Sequence, residues 1–313
     1  MQKILVTGGA GNVGGALVKK LIENKDNYVI IVDNLVTGSI QKLPFGQSIG
    51  VNWKFIKADV NYFGDISPIM TRYGFDYIFH YAALVGVQRT LENPTRVLED
   101  IQGIKNILNL SKNTGVKRIF YSSSSEVYGE PVEYPQNEDT TPLNSKLPYA
   151  IVKNVGEAFL KSYKKVYDLD FTIFRFFNTY GPDQSQDFVM SKFIYAALKN
   201  EPVTLYGDGN QSRTFCFVDD NIEATTKALY NDLFINDVVN IGSDVEMSIK
   251  ELAEKIIDLT GSASSIVHLP ALTEGDMTRR KPDTAKMKEI LKRDLLGIDE
   301  GIHKMIAHIK QIL

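Results

Sequence analysis

Six short, almost wholly apolar runs alternate with amphipathic stretches over the first 177 of 313 residues, and this alternation limits the folds open to the chain. The runs are Lys3–Thr7, Tyr28–Asp33, Trp53–Lys57, Tyr77–Tyr81, Arg118–Ser122 and Phe171–Phe176. They are rich in Val, Ile, Phe and Tyr and lack polar alternation, so they read as strands covered on both faces. Between them, Val13–Glu23, Pro94–Thr114 and Tyr149–Tyr167 carry helical patterns. Strand–helix–strand repetition predicts an α/β fold on a Rossmann-type, doubly wound parallel sheet.

The pattern changes near Asn178. Gly181-Pro182 and the polar run Asp183–Asp187 mark a loop. Helical patterns follow at Val189–Asn200, Asp219–Tyr230, Ser248–Thr260, Thr284–Leu291 and Ile298–Ile312, with a turn-rich patch at Tyr206–Arg213 and a strand at Val238–Ile241. This predicts a nucleotide-binding domain over 1–177 and a smaller, substrate-binding α/β region over 178–313. Residues from about 215 to 245 are expected to fold back onto the sheet.

Bulk properties exclude several classes. With 35 basic against 38 acidic residues the net charge is −3, so no global basic field invites nucleic acid or anionic lipid. The single cysteine, Cys216, rules out an intrachain disulfide and a cysteine metal cluster. No apolar run approaches the ~18–20 residues of a membrane span. The chain enters a strand pattern at once, without a signal-peptide layout. A soluble cytoplasmic protein is the expectation, with no metal, nucleic acid or membrane partner.

The first turn reads Thr7-Gly8-Gly9-Ala10-Gly11-Asn12-Val13-Gly14. Glycines 8, 11 and 14 follow a strand and open a helix, the arrangement that lets a backbone approach a pyrophosphate at a helix N-terminus. Asp33 ends the second strand. A carboxylate there accepts hydrogen bonds from adenosine ribose hydroxyls and repels a 2′-phosphate, and VDNLVTG holds no Arg or Lys, so NAD is favoured over NADP. Asp59, after the third strand, is placed to meet the adenine.

Tyr149 and Lys153 form YxxxK, four residues apart on one face of a predicted helix. An ammonium beside a phenol favours the phenolate, so Tyr149 reads as a base. Lys153 is also placed to hold the nicotinamide ribose. Upstream, Ser122-Ser123-Ser124-Ser125-Glu126 sits at the end of a central strand, where ligands bind in such sheets. His80 reads as a structural strand-end residue, Asp219-Asp220 as a helix N-terminal pair, and Phe174, Phe176 and Phe177 as core.

With TGGAGNVG, VDN, HYAAL, SSSSEVYG, YAIVK, RFFNTYGP, YGDGNQSRTFCFVDD and RRKPD in this order, the chain resembles the extended short-chain dehydrogenase/reductase family over nearly its whole length. The branch it resembles contains the nucleotide-sugar epimerases and dehydratases. Four positions depart from that pattern. Asn12-Val13 replaces an aromatic–isoleucine pair, Asp100 stands at a usual Asn, and Val85 matches a lysine of some epimerases.

The resemblance implies an NAD-dependent enzyme acting on a nucleoside-diphosphate sugar. Tyr149 would take the 4-OH proton while C4 hydride passes to NAD, with Ser124 bonded to the same oxygen and Lys153 supporting both. The dinucleotide would lie along Gly8, Gly11, Asn12, Val13, Gly14, Asp33, Asn34, Asp59, Val60, Ala82, Ala83 and Lys153. Substrate contacts would come from Ser125, Asn178, Arg213 and Arg280, with Glu126 as a further acid or base. The 4-keto sugar can be reduced from the other face, decarboxylated or dehydrated.

Family dehydratases resemble Thr-Asp-Glu where this chain has Ser124-Ser125-Glu126, so dehydration is disfavoured. Decarboxylases resemble Thr-Ser-Glu with a distant Arg, matching Ser125-Glu126 and Arg280. Alignment through Glu274–Asp276 places Arg280 near the residue that limits the C5/C6 pocket of hexose epimerases. The segment before Tyr149, NSKLP, is closer to epimerases. A UDP-hexose or UDP-hexuronate 4-epimerase is the expectation, with UDP-glucuronate decarboxylation as the alternative and a catalytically silent dinucleotide-binding relative as the rival. The resemblance further implies a homodimer through a four-helix bundle, with Phe159, Leu160 and Tyr163 available as an apolar face.

Overall fold

The computed structural model describes residues 1–45, 52–271 and 279–313. Strands β1 (Gln2–Thr7), β2 (Asn27–Asp33), β3 (Trp53–Lys57), β4 (Tyr77–His80), β5 (Arg118–Ser124) and β6 (Asp170–Phe176) coincide with the six apolar runs to within two residues at either end. The second half adds β7 (Thr179–Tyr180), β8 (Val203–Tyr206), β9 (Ser212–Thr214), β10 (Cys216–Phe217), β11 (Asp237–Ile241), β12 (Glu246–Ser248) and β13 (Ile266–Leu269). One parallel seven-stranded sheet has the order β11-β6-β5-β4-β1-β2-β3. Its last strand, β11, comes from the second half of the chain and lies against β6, with Asn240 opposite Arg175. The other short strands pair as β7–β10, β9–β12 and β8–β13.

Helices α1 (Asn12–Leu21), α2 (Phe63–Tyr73), α3 (Val87–Glu92), α4 (Pro94–Leu98), α5 (Asp100–Thr114) and α6 (Pro148–Tyr167) belong to the first half. The second half holds α7 (Val189–Leu198), α8 (Val218–Tyr230), α9 (Ile249–Thr260), α10 (Ala285–Leu291) and α11 (Ile298–Ile312). The sheet is buried on both faces because successive strand residues point opposite ways. Ile4 and Val6 join one apolar cluster with Leu17 of α1, Ile222 of α8 and Ile302 of α11. Leu5 joins the other, with Ile66 of α2, Ile104 of α5 and Val152 of α6. Each such buried side chain contributes about 1.5–3 kcal/mol. No helix among the described residues is long and apolar enough to cross a membrane.

Local chemistry sets several boundaries. Pro148 occupies the first turn of α6, where its missing N–H costs no helical bond. Ser248 and Glu251 form a capping box on α9. The helix expected over 94–114 is interrupted at Glu99, giving α4 and α5. There the Asp100 carboxylate accepts from Leu84 N at 2.7 Å and Asn61 Nδ2 at 3.2 Å, pinning the chain. Strand β5 runs two residues beyond Ser122, because Ser123 and Ser124 pair with Arg175 and Phe176 of β6. Leu160 is 2% exposed and packs in the core, so it offers nothing to a partner. Tyr163 is tied to α5 by a 2.7 Å bond to Asn109.

Candidate active site

All seven parallel strands end on the same edge of the sheet, and the sheet order reverses between β1 and β4. Ligands bind at such a switch point. A cavity of about 660 Å³ opens there. Its wall contains every dinucleotide residue expected from the sequence: Gly8, Gly11, Asn12, Val13, Gly14, Asp33, Asn34, Asp59, Val60, Ala82, Ala83 and Lys153. Ser124, Ser125, Glu126, Tyr149, Asn178 and Arg280 line the same cavity. Arg213 does not. It is 7% exposed, and its Nη1 donates to the Ser212 carbonyl at 2.8 Å. Glu274–Asp276 lie outside the described residues.

The glycine turn is shaped by close backbone approach. Gly8 has φ +72°, and a Cβ there would stand 2.7 Å from Ala82 N. A Cβ on Gly14 would stand 2.2 Å from the Gly8 carbonyl oxygen. The N-cap of α1 is Gly11, with no side-chain cap and no acidic residue in the first turn. Its first N–H groups and the positive end of the helix dipole are therefore free to meet a diphosphate.

Asp33 is 7% exposed and accepts from Ala10 N at 3.0 Å and Leu35 N at 2.8 Å. Asp59 accepts from Asn34 Nδ2 and Asn61 N, both at 2.9 Å. This donor and acceptor set, from the open helix N-terminus to the Asp33 carboxylate on the cavity wall, fits NAD.

Tyr149 and Lys153 rise from the first turns of α6 beneath the end of β5. Burial pushes the Tyr149 phenol well above its ordinary value, the Glu126 charge adds to this, and a hydrogen bond with Ser124 pulls it back. Lys153 Nζ donates to the Ser122 carbonyl at 2.6 Å and lies 5.7 Å from the Tyr149 ring centre. Burial lowers the Lys153 ammonium to about 8, with Asp100 opposing. Ser124 accepts from Glu126 N at 3.2 Å, capping the short turn that follows β5. Arg280 Nη1 stands 3.6 Å from Glu126 Oε1, and Asn178 is fixed by a 2.9 Å bond to the Thr214 carbonyl.

His80, at the end of β4, bonds Thr7 Oγ1 at 2.9 Å, and burial pushes its pKa down to about 3, so it is a neutral structural residue. Phe174 and Phe177 are fully buried, and Phe176 packs against the core while also lining the cavity. Lys42 also lines it, although no motif marks it. It comes from a 3₁₀ turn at Ile40–Lys42 that packs over Gly15, with Asp183 and Asp33 as its charge partners. The sequence signal for it was only a lysine nine residues beyond Asp33.

Comparison with known proteins follows the same lines. A UDP-N-acetyl-α-D-glucosaminuronate decarboxylase of Bacillus cytotoxicus is 34% identical, across 99% of this chain and 98% of the relative. The structure of a UDP-glucose 4-epimerase with UDP-glucose from Thermotoga maritima superposes with a TM-score of 0.92 at 30% identity, covering 99% of both chains. A UDP-glucuronic acid 4-epimerase from Bacillus cereus, in complex with UDP-glucuronic acid and NAD, gives a TM-score of 0.91 at 26% identity over the full length of both. A family model described as NAD dependent epimerase/dehydratase family matches residues 4–242. That span holds the glycine turn, Asp33, Ser124, Tyr149 and Lys153, and with them the chain belongs to this family of NAD-dependent enzymes.

Proposed function

We propose that the protein is a 4-epimerase of a nucleoside-diphosphate hexuronate, working through a transient 4-keto sugar. The observation that carries this reading is Arg280. It is 6% exposed and lines the cavity with Tyr149. Its Nη1 stands 3.6 Å from Glu126 at the cavity wall. A C6 carboxylate in the cavity would pair with the guanidinium in bidentate fashion, since the two match in shape and charge.

Tyr149 takes the proton of the 4-hydroxyl, and Ser124 donates to the oxygen as the carbonyl forms. Lys153, held on the Ser122 carbonyl, keeps a positive charge under the Tyr149 ring below about pH 8. The dinucleotide, held along the glycine turn and Asp33, would supply the hydride acceptor for C4 and the hydride for its return. Turning the keto sugar before that return inverts C4. Asn178, on the cavity wall, is assigned to the diphosphate, as is Arg213, by its resemblance to a diphosphate-clamping Arg of the family.

One observation favours a second reading, decarboxylation. Ser124-Ser125-Glu126 and Arg280 meet in one corner, and a C6 carboxylate is β to a C4 ketone, which makes loss of CO₂ facile. Dehydration has no comparable support, because Ser125 is a poor acid for a departing 6-hydroxyl. Incubation with UDP-glucuronate and, separately, UDP-glucose, with products read by mass and NMR, tests the proposal. Unchanged mass with inverted C4 in the uronate is expected. Loss of CO₂ would establish the second reading, and turnover of UDP-glucose alone would overturn the uronate assignment.

The protein is further proposed to act as a homodimer across α5 and α6. Leu98, Ile151 and Tyr167 are 42%, 38% and 49% exposed near this surface. Light scattering should give twice the 35.1 kDa chain mass, and a monomer would remove the assignment.

A further inference from the structure

Arg280 reaches the cavity from an extended segment that belongs to no helix or long strand. The segment is tied at two isolated bridges, Arg279 beside Ser212 and Pro282 beside Gln136. Gln136 N donates to the Lys281 carbonyl at 2.7 Å, and Asp283 N donates to the Gln136 carbonyl at 2.8 Å. In extended backbone successive side chains face opposite ways. Arg280 accordingly turns inward, while the side chains of Arg279 and Lys281 turn outward, 43% and 31% exposed.

Both outward cations converge on one carboxylate, Glu246 of β12. Arg279 donates to it through Nε at 2.5 Å and Nη2 at 2.7 Å. Lys281 Nζ stands 3.2 Å away, and Ser212 Oγ of β9 donates at 3.3 Å. The Arg279 guanidinium also lies 4.4 Å over the Tyr134 ring. Hydrogen bonds from Arg279, ahead of those from Lys281, hold the Glu246 carboxyl down to about 2, so it is charged at neutral pH. Glu246 is not among the residues lining the cavity.

We infer that Glu246 is a positioning residue for substrate selection. By gripping the residues on either side of Arg280 it fixes how far the guanidinium reaches toward the sugar. Bidentate recognition of a carboxylate tolerates little displacement, so a loosened segment loses affinity for an acidic sugar before it loses anything else. The inference rests on the proposed role of Arg280 at the C6 carboxylate, and its test separates the two.

Calorimetric titration of UDP-glucuronate, UDP-glucose and NAD into the full-length protein is compared among wild type, Glu246→Gln, the Arg279→Gln/Lys281→Gln pair and Arg280→Gln. Glu246→Gln and the double variant should each raise the Kd for UDP-glucuronate about tenfold, leaving UDP-glucose and NAD within about twofold. Glu246→Asp, which keeps the charge, should recover part of the loss. If Arg280→Gln weakens UDP-glucuronate but Glu246→Gln does not, the clamp is refuted while the reading of Arg280 stands. Equal weakening of all three ligands by Glu246→Gln also refutes it, since that is a folding defect. If Arg280→Gln itself binds UDP-glucuronate normally, the reading of Arg280 fails and the clamp with it.

Discussion

Replacing Glu157 by Ala should cost more stability than almost any other single change in the protein. Glu157 on α6 and Arg175 on β6 are each 1% exposed. The guanidinium donates to the carboxylate through Nε at 2.9 Å and Nη2 at 2.7 Å. Its Nη1 is held by Tyr128 OH at 2.8 Å and the Glu138 carbonyl at 3.2 Å, both neutral. Glu157→Ala therefore leaves a buried cation without a counter-charge, a loss of about 3–5 kcal/mol, against a typical total of about 5–15 kcal/mol. It also strips Ser123 of a 2.6 Å acceptor, one residue before Ser124, so turnover should fall in the fraction that stays folded. Urea unfolding followed by fluorescence of Trp53, the only tryptophan, measures the difference. Removing both charges with Glu157→Leu/Arg175→Leu should recover much of the loss, because the cost lies in the unpaired charge. A drop below about 1 kcal/mol for Glu157→Ala would refute the reasoning.

Two further outcomes follow from the same geometry. Tyr149→Phe should keep the fold and NAD binding but lower turnover by about 10²–10⁴, read by NMR of the nucleotide sugar; full turnover would end the assignment of Tyr149 as base and favour a silent relative. His80 has its pKa pushed down by burial to about 3 from 6.5, so the unfolded chain binds the extra proton between these values and stability falls as pH drops through that window. The loss is about 1.4 kcal/mol per pH unit, and His80→Asn should flatten the slope of urea stability between about pH 6.5 and pH 5 by that amount, whereas an unchanged slope would refute the burial argument.

Periodicity and glycine chemistry made the sheet legible, because buried parallel strands must be apolar on both faces and a phosphate-binding turn must lack Cβ atoms at fixed points. The small strands β7 to β10, β12 and β13 were not, since two- to four-residue pairings leave no periodic trace. Helix α2 was hidden by Pro68 in its interior, a residue that normally argues against a helix. At the site, spacing gave Tyr149, Lys153 and Asp33 their shared wall, because these follow helix and strand geometry. Contacts between distant segments were illegible: Lys42 across from Asp33, Glu157 beneath Ser123, and Glu246 behind Arg280. Each depends on where loops return, which no local pattern encodes. Phe176, at the end of an apolar run, packs against the core as its pattern implies and also meets the cavity, which no local pattern encodes.

Glu126 is where the two catalytic outcomes divide, and its electrostatics decide how to separate them. Glu126 raises the pKa of Tyr149 and Arg280 lowers it, from positions 3.6 Å apart. A base works deprotonated, so a lower pKa moves the acid limb of the rate profile to lower pH. Glu126→Gln should therefore shift that limb down, and Arg280→Gln should shift it up; movement in the opposite sense would refute the charge assignment. Epimerisation asks nothing of the protein beyond C4, so Glu126→Gln retains turnover with the shifted limb. Decarboxylation leaves the C–C bonding pair on C5 as an enolate that must take a proton. If Glu126 delivers that proton, Glu126→Gln halts formation of the finished sugar while oxidation at C4, followed by cofactor absorbance, continues. Retained epimer formation in this variant thus fixes Glu126 as a wall charge, and arrested product after C4 oxidation fixes it as the C5 acid.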